Sequence, residues 1–128
     1  MIVLLDTSTP VCKTYWYNHG TLEETSWQAD RELADKLIEY LRRQLQERDS
    51  TWDDITGIGI YRGPGSFTGL RIGHTIMNII ADDKAIPIVG TTGEDWLEQA
   101  LTRLKNNEND SLVLPLYGRE ANITKPRK

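Results

Sequence analysis

The sequence has 128 residues, which suits one domain and is too short for a two-lobed enzyme with a cleft between full-size lobes. Apolar residues make up 38% of it and ten glycines add to that share, so a disordered or collagen-like chain is excluded. The 15 basic and 19 acidic residues give a net charge of −4, which argues against a protein that binds nucleic acid on its own.

Targeting signals and cysteine usage both point to the cytoplasm. No run approaches the roughly 20 apolar residues of a membrane span, and the first ten residues lack the basic region and cleavage site of a signal peptide. Cys12 is the only cysteine, so an internal disulfide or a cysteine-based zinc site is excluded. The basic residues near the C-terminus are interpreted as a solvated tail: Arg119, Lys125, Arg127 and Lys128.

The first third of the sequence predicts three strands in an antiparallel meander. The apolar run at residues 2–5, closed by a polar turn, indicates a buried central strand. Residues 11–17 and 21–27 are rich in Val, Thr, Tyr and Trp, and residues 18–20 form a glycine-containing hairpin loop between them.

The remainder of the sequence alternates between helix and strand patterns. Predicted helices cover residues 29–47, a segment ending near residue 82, and residues 94–104, while predicted strands cover 55–61 and 86–89. A polar linker at 106–110 follows, and then an edge strand at 112–117, because Pro115 cannot donate to a ladder on both sides. The order β-β-β-α-β-α-β-α with a mixed five-stranded sheet is that of an α/β ribonuclease-H-like, actin-like ATPase lobe.

The segment GPGSFTGLRIG, between the fourth strand and the second helix, allows two interpretations. In the first, backbone N–H groups at the helix N-terminus bind an anion or a nucleotide phosphate. In the second, the glycines permit close packing of a strand-to-helix turn whose serine caps the helix. The first interpretation uses five residues on two turns: Asp6, Thr7, Gly63, Gly65 and Ser66.

The turn after the first strand differs from a nucleotide-binding turn. Actin-like ATPases carry Asp-x-Gly-x-Thr there, whereas Ser8 occupies the glycine position here and narrows the phosphate seat. The chain also offers no second phosphate turn and no adenosine pocket. We therefore do not expect ATP turnover by this chain alone, although a small ATPase-like enzyme using the Asp6 turn and residues 63–69 is the alternative function.

Four segments together resemble the TsaB (YeaZ) family: IVLLDTSTPVC at the start, W-x-x-x-R-x-L from Trp27, RGPGSFTGLRIG, and IPIVGTT. The resemblance covers residues 1 to about 104, and the last residues are also similar to the end of family members. It implies an actin-like N-terminal lobe at residues 1–105. A linker and short tail at 106–128 then stand in place of the usual second lobe.

The resemblance also implies a function. Members of this family take part in making threonylcarbamoyladenosine beside the anticodon of tRNA, as non-catalytic subunits that bind and activate the transferase TsaD. It implies a TsaE-like ATPase in the complex, tRNA contact only through the complex, and a homodimer when the partner is absent. The chain would bring no cofactor of its own, with ATP or ADP and Mg bound by the partner complex. TsaD holds its metal with a His-x-x-x-His pair, whereas this chain has only His19 and His74, so no metal site is expected.

The family's partner surface is built from the first two helices, and their sequences agree with a covered surface. Apolar residues occupy an arc of roughly 160° of the circumference of the first helix and roughly 240° of the second. A helix covered by one sheet needs an apolar arc of only ~100°. We expect another chain to cover the surplus, whereas the alternative is cover by the C-terminal tail. The expected partner contacts are Leu37, Tyr40, Leu41, Leu70, His74 and Met77.

Overall fold

The computed structural model describes residues 1–117, which form one mixed sheet with helices on both faces. Two short 3-10 turns, Asp30–Glu32 and Trp52–Asp54, precede the first helix and the fourth strand. The predicted order β-β-β-α-β-α-β-α is confirmed. The strands are β1 Ile2–Asp6, β2 Val11–Asn18, β3 Thr21–Gln28, β4 Gly57–Tyr61 and β5 Ile88–Thr91, and the helices are α1 Leu33–Glu47, α2 Phe67–Lys84 and α3 Trp96–Lys105.

The sheet has the strand order β3-β2-β1-β4-β5, which places β1 in its middle as predicted. The pairs β1–β2 and β2–β3 are antiparallel, whereas β1–β4 and β4–β5 are parallel. The chain crosses back over the sheet through α1 between β3 and β4, and through α2 between β4 and β5. The loop of the hairpin is shorter than predicted, since Asn18 already pairs with Thr21. His19 and Gly20 both have positive φ, as a two-residue hairpin turn of type I′ requires.

The strand β1 is buried on both faces and separates two hydrophobic cores. Val3 and Leu5 face the larger core under α1 and α2, whereas Leu4 faces the smaller core under α3. A central strand covered on both sides needs a continuous apolar sequence, which explains the run at its start. In β2, Trp16 belongs to the larger core, while Tyr15 packs against the smaller one.

Side chains that follow β5 saturate its outer edge. The Ile88 N–H donates to Asn109 Oδ1 at 3.1 Å, and the Ile88 carbonyl accepts from the Asp110 N–H at 2.8 Å. The Gly90 N–H donates to Asp110 Oδ2 at 2.9 Å, and the Gly90 carbonyl accepts from Arg103 Nη1 at 3.2 Å. Burial raises the pKa of Asp110, but hydrogen bonds from Arg103 and Gly90 outweigh it and hold that pKa below its usual value. We call Arg103, Asn109 and Asp110 the edge clasp.

The prediction of an edge strand at residues 112–117 is wrong. The segment is extended but pairs with no strand, because the edge clasp already occupies the outward backbone groups of β5. It lies against α2 instead, where the Asn78 side-chain amide donates to the Val113 carbonyl and accepts from the Val113 N–H, both at 2.9 Å. The Leu116 N–H donates to the Arg62 carbonyl at 2.8 Å. We call residues 112–117 the tail segment.

The basic cluster predicted near the C-terminus lies outside the described residues, and the division of the chain at residue 105 stays a prediction. Within residues 1–117, no helix has the length and apolar character needed to cross a membrane.

Candidate functional site

The glycine-rich loop between β4 and α2 lies directly on the turn that follows β1. The Ser66 N–H donates to the Ser8 carbonyl at 2.8 Å, and the buried Thr7 hydroxyl donates to the Gly69 carbonyl at 2.7 Å. A Cβ added to Gly65 would stand 2.4 Å from the Ser8 Cβ. The two backbones are therefore in contact, and the glycines are what permits that approach.

The residues predicted for an anion site are engaged within the chain. The Asp6 carboxylate accepts from the Ser8 N–H at 2.8 Å, and Ser66 Oγ accepts from the Gly69 N–H at 3.2 Å, which confirms Ser66 as the cap of α2. A Cβ on Gly63, whose φ is +122°, would meet the Leu116 carbonyl at 2.3 Å. Together with the internal bond of Thr7 and the contact of Gly65, this arrangement favours the close-packing interpretation of the loop.

Most of the partner contacts predicted on the first two helices lie on the inward face of the helix pair. The structure places five of the six in the chain's own interior, exposed by 2% or less: Leu37, Leu41, Leu70, His74 and Met77. The sixth, Tyr40, is half-buried, and its ring stacks on Trp27 with 5.1 Å between centroids.

These residues face inward because of the direction in which each helix is turned, and the periodicity alone does not give that direction. Residues at intervals of three and four form the stripe that faces the sheet, and a helical wheel gives the width of an apolar arc without saying which edge is covered. A usable signal lies in the glycines of α2. Gly73 falls on the same stripe as Leu70 and Met77, and a Cβ there would meet Thr7 Oγ1 at 2.4 Å. A glycine on a helix marks the face that comes closest to its neighbour.

The uncovered apolar surface of the helix pair lies on the face of each helix next to the one that carries the predicted contacts. A groove of about 370 Å³ runs between α1 and α2, and we call it the helix groove. Beyond its two sides, Ile38 of α1 is 53% exposed and Ile79 of α2 is 62% exposed. The groove is lined by Ala34, Thr68, Arg71, Ile72, Thr75 and Ile76.

The tail segment covers part of the surplus apolar width of α2. Val113 is buried and joins the larger core, and Tyr117 stacks on Phe67 with 4.3 Å between ring centroids. The alternative of cover by the chain's own tail therefore accounts for one flank of α2. Residues 1–117 leave the helix groove and Ile79 uncovered.

His74 is held neutral inside the protein. Its Nδ1 lies 2.7 Å from the Leu70 carbonyl oxygen, which can only accept, so Nδ1 carries the hydrogen. Nε2 is buried and has no hydrogen-bond partner among residues 1–117. Burial lowers the pKa of His74, the bond to Leu70 opposes that shift, and the charge of Arg62 adds to it, so the net direction is down.

We expect this chain to lose stability as the pH falls through about 6.5, the usual histidine pKa. The lowered pKa of folded His74 means that the unfolded chain binds the proton more tightly, so the free energy of unfolding decreases as the histidine titrates. Urea midpoints at pH 7.5 and 5.5 measure the effect, and His74→Gln should shrink the difference. The exposed His19 is the matched control, since His19→Gln should leave the difference intact. Equal midpoints in the wild type at both pH values would contradict the prediction.

A metal site needs several His, Cys, Asp or Glu side chains close together in space. Within residues 1–117, no three His, Cys, Asp or Glu side chains cluster as a metal site would need. His19 lies in the hairpin turn between β2 and β3, far along the chain from the buried His74.

The sequence matches a family model described as TsaD, tRNA N6-adenosine threonylcarbamoyltransferase, over residues 27–124. That range covers most of the chain. The chain belongs to this family, within its TsaB (YeaZ) group. The assignment to the TsaB (YeaZ) group rests on the names of the relatives that the chain matches. The TsaB protein of Escherichia coli (strain K12), named for tRNA threonylcarbamoyladenosine biosynthesis, is 31% identical over 91 residues, covering 71% of this chain and 39% of that protein.

Two further TsaB proteins and a solved structure agree with this placement. TsaB of Buchnera aphidicola is 27% identical, and the match covers 80% of this chain and 49% of that protein. TsaB of Haemophilus influenzae is 26% identical, and the match covers 84% of this chain and 46% of that protein. The structure of YeaZ from Pseudomonas aeruginosa superposes with a TM-score of 0.68 at 27% identity, covering 82% of this chain and 49% of that one. The predicted actin-like fold is thereby confirmed. The chain spans less than half the length of these TsaB relatives.

Proposed function

We propose that this chain is a non-catalytic partner subunit that binds a TsaD-like threonylcarbamoyltransferase and activates it in the modification of tRNA. The proposal extends to a TsaE-like ATPase in the same complex and to tRNA contact made only through that complex. A net charge of −4 supports a subunit that leaves most of the tRNA binding to its partner. The relatives named for threonylcarbamoyladenosine biosynthesis support the pathway.

The observation that carries the proposal is the open helix groove. Monomeric proteins rarely leave a contiguous apolar helix surface uncovered, and such surfaces commonly accept the helices of another protein. Ile72 and Ile76 line the groove on α2 and Ala34 lines it on α1, while Ile38 stands exposed beside it. We infer that a helix pair of the transferase packs against α1 and α2 in a four-helix arrangement, with this chain pairing with itself when the transferase is absent.

A catalytic role is not part of the proposal. The loop and turn that would seat a nucleotide are packed on each other through Ser8 and Gly65, and Asp6 is bonded to the turn that it begins. We therefore assign ATP, ADP and magnesium to the partner complex and none of them to this chain alone.

The test is a calorimetric titration of the purified chain into a TsaD-like transferase from the same cells, which measures the dissociation constant of the complex. Ile76→Glu and Ile38→Glu each place a charge in or beside the helix groove, and each should weaken binding by at least about 30-fold, as the loss of a central interface contact does. Leu22→Glu is the matched control, because Leu22 is an exposed aliphatic residue on β3, away from α1 and α2. It should bind as the wild type does.

Activation is measured in the same samples as the rate of threonylcarbamoyladenosine formation on tRNA. The wild type and Leu22→Glu should raise the rate of the transferase, whereas Ile76→Glu should not. The chain without transferase should form no product. Undiminished binding by both groove variants, with unchanged circular dichroism spectra, would overturn the proposal.

A further inference from the structure

A second groove flanks α2 on the side away from α1. It has a volume of about 350 Å³ and lies between α2 and the tail segment, and we call it the tail groove. Arg71 and Thr75 line both this groove and the helix groove. The outer edge of α2 is therefore a ridge between two grooves.

The walls of the tail groove carry large aliphatic side chains that face solvent. Ile79 of α2 is 62% exposed, and Leu114 and Leu112 of the tail segment are 61% and 59% exposed. Single exposed leucines are ordinary on a protein surface, whereas several around one concave site indicate a docking surface.

The tail segment is fixed in place, so the groove is formed before anything docks. Asn78 makes two hydrogen bonds to the backbone of Val113, in the manner of a neighbouring strand. On the far side, Arg62 Nε donates to the Leu114 carbonyl at 2.9 Å, and the Arg62 carbonyl accepts from the Leu116 N–H. A preformed wall lowers the entropy lost on binding.

Arg71 is the only Asp, Glu, Lys or Arg of α2 between Phe67 and Ala81. Its guanidinium carbon stands 5.7 Å from the centre of the Phe67 ring, and it makes no ion pair with any residue of 1–117. A guanidinium that becomes covered between two apolar grooves needs a carboxylate, because an unpaired charge there is costly.

We infer that the transferase of the proposed function straddles α2, with an acidic side chain paired to Arg71 and an aliphatic side chain seated in the tail groove beside Leu114 and Ile79. This inference rests on the proposed function and extends the contact beyond the helix groove. The tail segment thereby becomes part of the partner surface, and Arg71 sets the charge that the partner must offer. The partner element is an acidic residue flanked by aliphatic ones.

The test uses the full chain and the same transferase titration. Arg71→Glu should weaken binding by at least about 30-fold, because it opposes two carboxylates, and Leu114→Asp should weaken it by at least about 10-fold. Arg71→Gln should also flatten the dependence of the dissociation constant on salt. Arg43→Glu, at an exposed arginine of α1, and Leu22→Asp are the matched controls and should bind as the wild type does. An Asp→Arg or Glu→Arg exchange in the transferase should restore binding to Arg71→Glu.

The outcomes separate this inference from the proposal on which it rests. Loss of binding in Ile76→Glu with full binding in both Arg71→Glu and Leu114→Asp would keep the helix groove and overturn the straddling contact. A wild-type chain that does not bind the transferase at all would overturn both. Equal losses in Arg71→Glu and Arg43→Glu would reduce the arginine effect to general charge and also overturn the assignment.

Discussion

Met77→Glu is expected to destabilise the folded state of this protein strongly rather than to detach a partner. Met77 is 1% exposed and packs in the larger core between α2 and the sheet. A carboxylate there would have to be buried among apolar side chains or force the helix away from the sheet. We expect a loss of more than about 4 kcal/mol, which is large against the roughly 5–15 kcal/mol that stabilises a domain.

Circular dichroism and urea unfolding measure this effect, and α2 supplies its own control. Ile79→Glu changes a residue two positions further on, which faces solvent, and should alter the free energy of unfolding by no more than about 0.5 kcal/mol. A Met77→Glu variant with native stability and impaired partner binding would mean that the face of α2 had been assigned the wrong way round.

Gly69→Ala is expected to destabilise the protein although alanine favours helices. Gly69 lies in the first turn of α2, where alanine would ordinarily gain up to about 1 kcal/mol over glycine. A Cβ at this position would stand 2.3 Å from the Thr7 carbonyl oxygen, which is backbone and cannot rotate away. Separating α2 from the turn after β1 should cost about 3 kcal/mol, at the upper end of the usual penalty for overpacking.

The control for this substitution is a glycine with open surroundings. Gly20 has no atom of residues 1–117 within 4 Å of its added Cβ, and asparagine adopts its φ of +79° at a smaller cost than most residues do. Gly20→Asn should therefore lower the urea midpoint clearly less than Gly69→Ala does. A more stable Gly69→Ala variant would contradict the close contact between the loop and the turn, and would reopen the anion interpretation of residues 63–69.

The sequence was sufficient for those parts of the fold that depend on local pattern. The apolar run of β1, the Gly-containing hairpin and the cap at Ser66 each follow from residues close together in the chain. The fifth strand begins at Ile88 rather than at residue 86, since Pro87 has no N–H to donate. Such shifts at element ends are small.

The position of residues 112–117 and the inward face of α2 could not be predicted, because both depend on contacts made by residues distant in the sequence. Residues 112–117 have the composition of a strand, yet their place in the sheet depended on whether Asn109 and Asp110 left an edge open. Which face of α2 turns toward the sheet depended on the close approach of Gly73 to Thr7. A helical wheel shows only the positions around one helix and carries no information about such a contact. Arg71 was missed as a candidate because its importance lies in the two grooves beside it.

The edge clasp has a consequence for how copies of this protein meet at high concentration. An edge strand with unpaired N–H and C=O groups can pair with a strand of another chain and so lead to aggregation. This sheet has two edges, β5 and β3. At β5 the outward amides and carbonyls of Ile88 and Gly90 are already bonded. At the other edge, β3 carries the exposed carboxylate of Glu24 beside Glu23, which is paired with Arg48. We therefore expect copies of this protein to associate through the helices rather than by adding a strand at the β5 edge.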